Sequence, residues 1–159
     1  MSFDQSFDRL IDVEKGYVNN PDDKGGPTKF GISQRSYPNV DIENLTLFGA
    51  KQIYWTDFWL RGSMDQYDGA IAFQVFDAAV NHGMETALRL LQRAAGVADD
   101  GHIGPITIAA VKQMKVTDML MCFLAERIEF WTKCSTWDTF GKGWARRAAS
   151  DLRLAAQDS

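Results

Sequence analysis

Glu14, Asp23 and Thr28 have the residue types and the spacing for acid–base chemistry on a bond held between two carboxyl groups. A carboxylic acid donates a proton near neutral pH when burial or a nearby negative charge raises its pKa, to about 6 in the known pattern. Glu14 falls where a helix-like segment meets a polar loop, and the negative end of a helix dipole pushes the same way. Across the bond such an acid needs a carboxylate, acting as nucleophile or as base for a water. Asp22 and Asp23 both qualify, since the chain between them and Glu14 is long enough to reverse. Thr28 offers a hydroxyl that could hold the attacking water. The same residues also have an ordinary reading, as an Asx turn, a strand threonine and a solvated helix-end glutamate.

The elements that must position these groups follow from periodicity. Phe3, Phe7, Leu10, Ile11 and Val13 lie close to helical spacing and predict an amphipathic helix over residues 3–14, closed by Gly16. Turn formers crowd residues 19–27, and "TKFGI" predicts a short strand, so this region reads as a small β-hairpin lobe. Thr46 is placed to cap a helix running to about Trp59. "DGAIAFQVFDAAVNHG" is apolar on most faces and predicts a buried central helix stopped by Gly83. Further helices are expected up to Gly96, from Pro105, from Thr117 or Asp118 through Trp131, and over the last twenty residues. The class is α+β and predominantly helical. The division expected is residues 1–66 and 67–159, sharing one core.

Composition narrows the partners. Hydrophobic residues make up 45% and charged residues 24%, which suits one soluble globular chain with a sizeable core. A net charge of −4 argues against general nucleic-acid binding, which needs a basic footprint. The N-terminal stretch mixes acidic with apolar residues, so it reads as neither signal peptide nor membrane anchor. Cys122 and Cys134 have no metal-ligand neighbours and read as buried free thiols or a disulfide. His82 and His102 stand alone, and no metal or organic cofactor is implied. Gln74, Asp77 and Asn81 share one face of the central helix, as a buried hydrogen-bond network or as a substrate surface. Tyr17 suits the wall of a cleft or simple packing. Trp144 with Arg146, Arg147 and Arg153 makes a basic helix face, either solvated or touching an anionic envelope.

The stretch "EKGYVNNPDDKGGPTKFGI" resembles the signature of glycoside hydrolase family 108, which runs close to E-G-G-Y-x-N-x-P-x-D-x-G-G-x-T-x-x-G-I. "IYWTDFW" and "FQVFDAAVNHG" resemble two further segments of that family. "LQRAAGVADDGHIGPITIAAV" is similar to its C-terminal peptidoglycan-binding region, and "GWARR" to a closing G-W-x-x-R motif. Lys15 stands where the family has a glycine, and the Glu-to-Thr interval is one residue shorter than in the phage-type pattern.

The resemblance implies a lysozyme-like domain and an N-acetylmuramidase, of the kind found as phage endolysins. It implies Glu14 as the general acid, with Asp23 and Thr28 positioning the water. Asp23 is favoured over Asp22 because it aligns with the aspartate of D-x-G-G. Tyr17, Asp22, Asn81 and Gln74 are the candidate substrate contacts, with Asn81 the best saccharide contact on the central helix. The implied partner is the glycan strand of bacterial peptidoglycan. A monomer is expected, without nucleic acid or stable membrane insertion. The implied route is synthesis in the host cytoplasm and passage to the wall through holin pores. Two rivals stay open: a lytic transglycosylase on the same bond, and a non-catalytic wall-binding module built on the "DGHIGPIT" half.

Overall fold

The computed structural model describes all 159 residues except Val13, Glu14, Lys15 and Asp23. The chain forms two compact units: one is Ser2–Arg61, the other Gly62–Ser159 together with Met1.

The first unit begins with α1, Phe3–Ile11, which starts in a capping box. The Ser2 hydroxyl accepts from the Gln5 backbone N–H, and the Gln5 side-chain oxygen accepts from the Ser2 N–H at 2.9 Å. Phe3, Phe7, Leu10 and Ile11 bury one face, as their spacing predicts. Each such side chain contributes about 1.5–3 kcal/mol when fully buried. The Phe3 ring meets Trp55 at 5.0 Å and Trp59 at 5.4 Å between centroids, and Phe7 meets Tyr54 at 5.8 Å. These aromatic rings belong to α2, Leu47–Tyr54, and to the π-helical turn Trp55–Leu60 that continues it. Thr46 caps α2 as expected, its hydroxyl accepting from the Gly49 N–H at 3.0 Å.

Between the helices lies a three-stranded antiparallel sheet of β1 (Tyr17–Val18), β2 (Thr28–Lys29) and β3 (Ile32–Ser33). "TKFGI" is therefore a tight hairpin rather than one strand. Phe30 and Gly31 both have positive φ, 51° and 76°, the requirement of a two-residue primed turn. A phenylalanine in that region costs about 1 kcal/mol or more. The Tyr54 hydroxyl fastens the turn by donating to the Phe30 carbonyl at 2.8 Å.

The second unit is helical. Its centre is α3, Gly69–His82, buried without interruption from Ala70 to Ala79 and packed against α4 (Met84–Ala94), α6 (Val116–Thr132) and α7 (Trp137–Asp158). Gly83, at φ 89° and ψ 151°, joins α3 to α4 in a conformation essentially closed to other residues. Pro105 opens α5, Pro105–Gln113. Trp131 is core, as is Trp59 in the first unit. Cys122 departs from the buried-thiol expectation: it is exposed, Cys134 is half-buried, and both are free. Among the described residues no helix is long and apolar enough to cross a membrane. The architecture is α+β and predominantly helical, with one small antiparallel sheet.

Candidate active site

The motif residues Tyr17, Asp22 and Thr28 belong to the first unit. Glu14 and Asp23, the two carboxyls on which the acid–base reading turns, lie outside the described residues. Thr28 occupies the central strand, opposite Val18 on one side and Ser33 on the other. Its hydroxyl donates to the Gly26 carbonyl at 3.4 Å, a long bond that leaves acceptor capacity on the oxygen. Tyr17 is exposed and stands opposite Lys29. Asp22 is exposed, and its backbone N–H donates to the Asn20 side-chain oxygen at 3.0 Å in an Asx turn.

Beyond the ladder the hairpin continues, with the Gln34 N–H bonding Pro27 O at 2.8 Å and the Arg35 N–H bonding Gly25 O at 3.0 Å. The Gln34 amide nitrogen then ties down the Tyr37, Pro38 and Val40 carbonyls. The Lys29 ammonium is occupied by the Glu43 carbonyl at 2.9 Å. Thr28 is thus held on a braced strand at the end of a loop rich in exposed polar residues.

The polar face of α3 divides. Gln74 is only 1% exposed, and its amide nitrogen donates to the Asp151 carbonyl at 3.1 Å. Of the two readings for Gln74, this geometry is that of the buried hydrogen-bond network, here linking α3 to α7. Asp77 is also buried, whereas Asn81 is exposed at the helix end and remains available to solvent. The reason is the direction of the helix, whose first three turns run through the core and whose last turn emerges.

Asp77 belongs to a buried charge cluster. Arg127, 0% exposed, places Nη1 2.8 Å from Asp77 Oδ2 and 2.8 Å from Asp151 Oδ2. Its Nε donates to His82 Nε2 at 2.9 Å, while Arg147 Nη2 reaches Asp77 Oδ1 at 2.6 Å. Burial pushes Asp77 upward, but the Arg127 and Arg147 guanidiniums together outweigh it and hold the carboxyl below its usual range. Asp151 goes the other way. Burial, then the charge of Asp77, push it up to about 6 against the pull of both arginines. Burial, then Arg127, push His82 down to about 3, which fits an imidazole accepting at Nε2. Arg127 and Asp151 were missed in the sequence reading. A charged residue at a core position of "FLAERIEFW" was the available signal.

Among the described residues no group of three or more His, Cys, Asp or Glu could hold a metal ion. The small sheet beside an aromatic-packed helix, and the separate helical unit, define a lysozyme-like α+β protein. Residues 7–83 match the family model described as Glycosyl hydrolase 108, and residues 86–149 match the one described as Predicted Peptidoglycan domain. The chain therefore carries a glycosyl hydrolase 108 domain followed by a peptidoglycan domain, and is a glycoside hydrolase acting on peptidoglycan. The solved structure of SagA from Brucella abortus is similar throughout, with a TM-score of 0.91 and 28% identity over 99% of this chain and 95% of that one. No curated protein matches the chain.

Proposed function

We propose that the chain is an N-acetylmuramidase that hydrolyses the β-1,4 bond between N-acetylmuramic acid and N-acetylglucosamine. Glu14 protonates the leaving oxygen, while Asp23 and Thr28 hold the water that attacks the anomeric carbon. The observation carrying this reading is the gap-free E-x-G-Y to T-x-x-G-I correspondence at residues 14–32, inside the segment that matches glycosyl hydrolase 108. The braced position of Thr28 supports it, since a water-holding hydroxyl must not drift. A water between acid and base gives inversion, for which carboxyls stand about 6.5–9.5 Å apart. Tyr17, Asp22 and Asn81, all exposed, are the further substrate contacts of this reading. The biological setting is phage lysis: a monomeric endolysin made in the host cytoplasm reaches the wall through holin pores.

The test is Glu14→Gln assayed on purified peptidoglycan beside a melting curve. General acid catalysis is worth about 10²–10⁴-fold, so activity falls by that factor while the melting temperature holds. Retained lysis by a folded variant overturns the mechanism. Product mass settles the reaction type, because a 1,6-anhydro end lacks the elements of water and marks a transglycosylase. Asp22→Asn and Asp23→Asn, compared side by side, identify the working carboxylate as the one whose loss is severe.

A further inference from the structure

The peptidoglycan domain contains a cavity of about 300 Å³ roofed by the loop between α4 and α5, within the size range of small-ligand pockets. We infer that this cavity grips the peptide stem of the wall rather than its sugars, an inference that rests on the peptidoglycan reading above. Its apolar walls are Val97, Ala98, Ile103 and Ile106, all aliphatic. No Phe, Tyr or Trp lines it and His102 is its one aromatic ring, so its walls are mainly aliphatic rather than flat π-faces for a sugar ring. Short branched walls instead suit the methyl groups of alanyl residues. Ile106 is 78% exposed, so an apolar contact stands ready at the cavity. Asp100, also in the lining, supplies charge complementarity to the amine of a diamino acid. The His102 N–H, then the Gln92 amide, hold its carboxyl below the usual range, so it is anionic at every working pH.

The loop is fixed before any ligand arrives. Gln92 is 1% exposed and directs its amide at the loop and the first turn of α5. Its Nε2 donates to Asp100 Oδ1 at 2.9 Å, to the His102 carbonyl at 3.0 Å and to Thr107 Oγ1 at 3.2 Å, while its Oε1 accepts from the Gly101 N–H at 2.8 Å. Arg93 Nε donates to Asp99 Oδ2 at 2.6 Å, and Arg89 donates to the Asp99 carbonyl. A buried glutamine dedicated to one surface loop is an expensive device for a mere connection. It removes the ordering cost that binding would otherwise impose. Asp99 is neutralised by Arg93, whereas the donors on Asp100 are neutral amides, which leaves its charge for an incoming cation.

The experiment uses the full chain and its Ile106→Asp variant in cold sedimentation assays. The two materials are intact sacculi and glycan strands stripped of their stems by an amidase. A synthetic stem tripeptide ending in a diamino acid is titrated into the wild-type chain, with the Ile103 and Ile106 methyl resonances as reporters. The expected result is at least tenfold weaker sedimentation on stripped strands, a similar loss for Ile106→Asp on sacculi, and tripeptide-dependent shifts of those methyls. Equal sedimentation of the wild-type chain on both materials, or methyls indifferent to the tripeptide, overturns the inference while leaving the hydrolase reading intact. A wild-type chain that sediments with neither material overturns the wall-binding reading and this inference with it. The tripeptide titration needs no variant, so a misfolded Ile106→Asp cannot shield the proposal.

Discussion

Replacing Arg127 by methionine tests whether the charge cluster between α3, α6 and α7 is held together as its geometry implies. The substitution keeps an unbranched stem but removes the guanidinium that lies 2.8 Å from both Asp77 and Asp151. Asp77 keeps Arg147 at 2.6 Å, whereas Asp151 is left buried without its cation. Breaking a buried pair from one side costs about 3–5 kcal/mol, because the remaining charge is uncompensated. At about 2–4 °C per kcal/mol for a chain of this size, the melting temperature should fall by roughly 6–20 °C.

The pH dependence gives the sign. Asp151 has a folded pKa of about 6, above the ordinary aspartate value of 3.8, so the native state holds its proton more tightly than the unfolded chain does. Its contribution is therefore fully present below about pH 4 and is lost as the pH rises through 6. Without Arg127 the carboxyl shifts further up, so the deficit of Arg127→Met is largest at pH 7.5 and smaller at pH 5. Relief of the guanidinium's repulsion on His82 acts in the same direction. Adding Asp151→Asn should recover most of the loss at pH 7.5, with a coupling energy of about 1–3 kcal/mol in a double-mutant cycle. Denaturant melts followed by circular dichroism at both pH values read all of this. A single variant within 0.5 kcal/mol of wild type, or a deficit that grows on acidification, would refute the reasoning.

Three further outcomes are expected. His82 titrates near 3 in the fold against 6.5 unfolded, so its stabilisation is present above pH 6.5 and is lost as the pH falls toward 3. His82→Gln should flatten that acid limb in denaturant melts taken from pH 6.5 to 4. Gly141→Ala would set a methyl 2.8 Å from two atoms of the Trp137 indole, which should cost about 1–3 kcal/mol and change the near-ultraviolet dichroism. A fragment ending at Gly83 strips α3 of α4, α6 and α7 and should bind hydrophobic dye or aggregate; a soluble fragment with sharp amide resonances would contradict the packing.

The helices were legible because their signals are local. Thr46, Gly83 and Pro105 punctuate the chain by φ preference or capping chemistry, and each stands where its chemistry predicts. A small hairpin lobe was legible from its turn formers, but the turn inside "TKFGI" was not, because a phenylalanine at positive φ is held there by a hydroxyl from Tyr54, 24 residues away. Gln74 and Asp77 could be placed on one helix face from spacing, but spacing does not say which turns of a helix leave the core. The separation of Gln74 from Asn81 came from packing alone. Arg127 and Asp151 are 24 residues apart on different helices, and only the tertiary fold brings their charges together. The Glu14, Asp23 and Thr28 motif was legible as a pattern of residue types, which is a statement about chemistry rather than distance.

The placement of α3 bears on how the two segments cooperate. The glycosyl hydrolase match ends at residue 83, just after α3, while α4, α6 and α7, the long helices packed against α3, run from Met84 onward and the peptidoglycan match begins at residue 86. The charge cluster follows the same division, since Asp77 and His82 come from the first segment and Arg127, Arg147 and Asp151 from beyond its end. The last helix of the hydrolase segment is therefore folded by the peptidoglycan domain and locked to it by buried ion pairs. Any strain that wall binding places on α6 or α7 meets α3 through rigid, desolvated contacts, and Asn81 rides on the end of that helix.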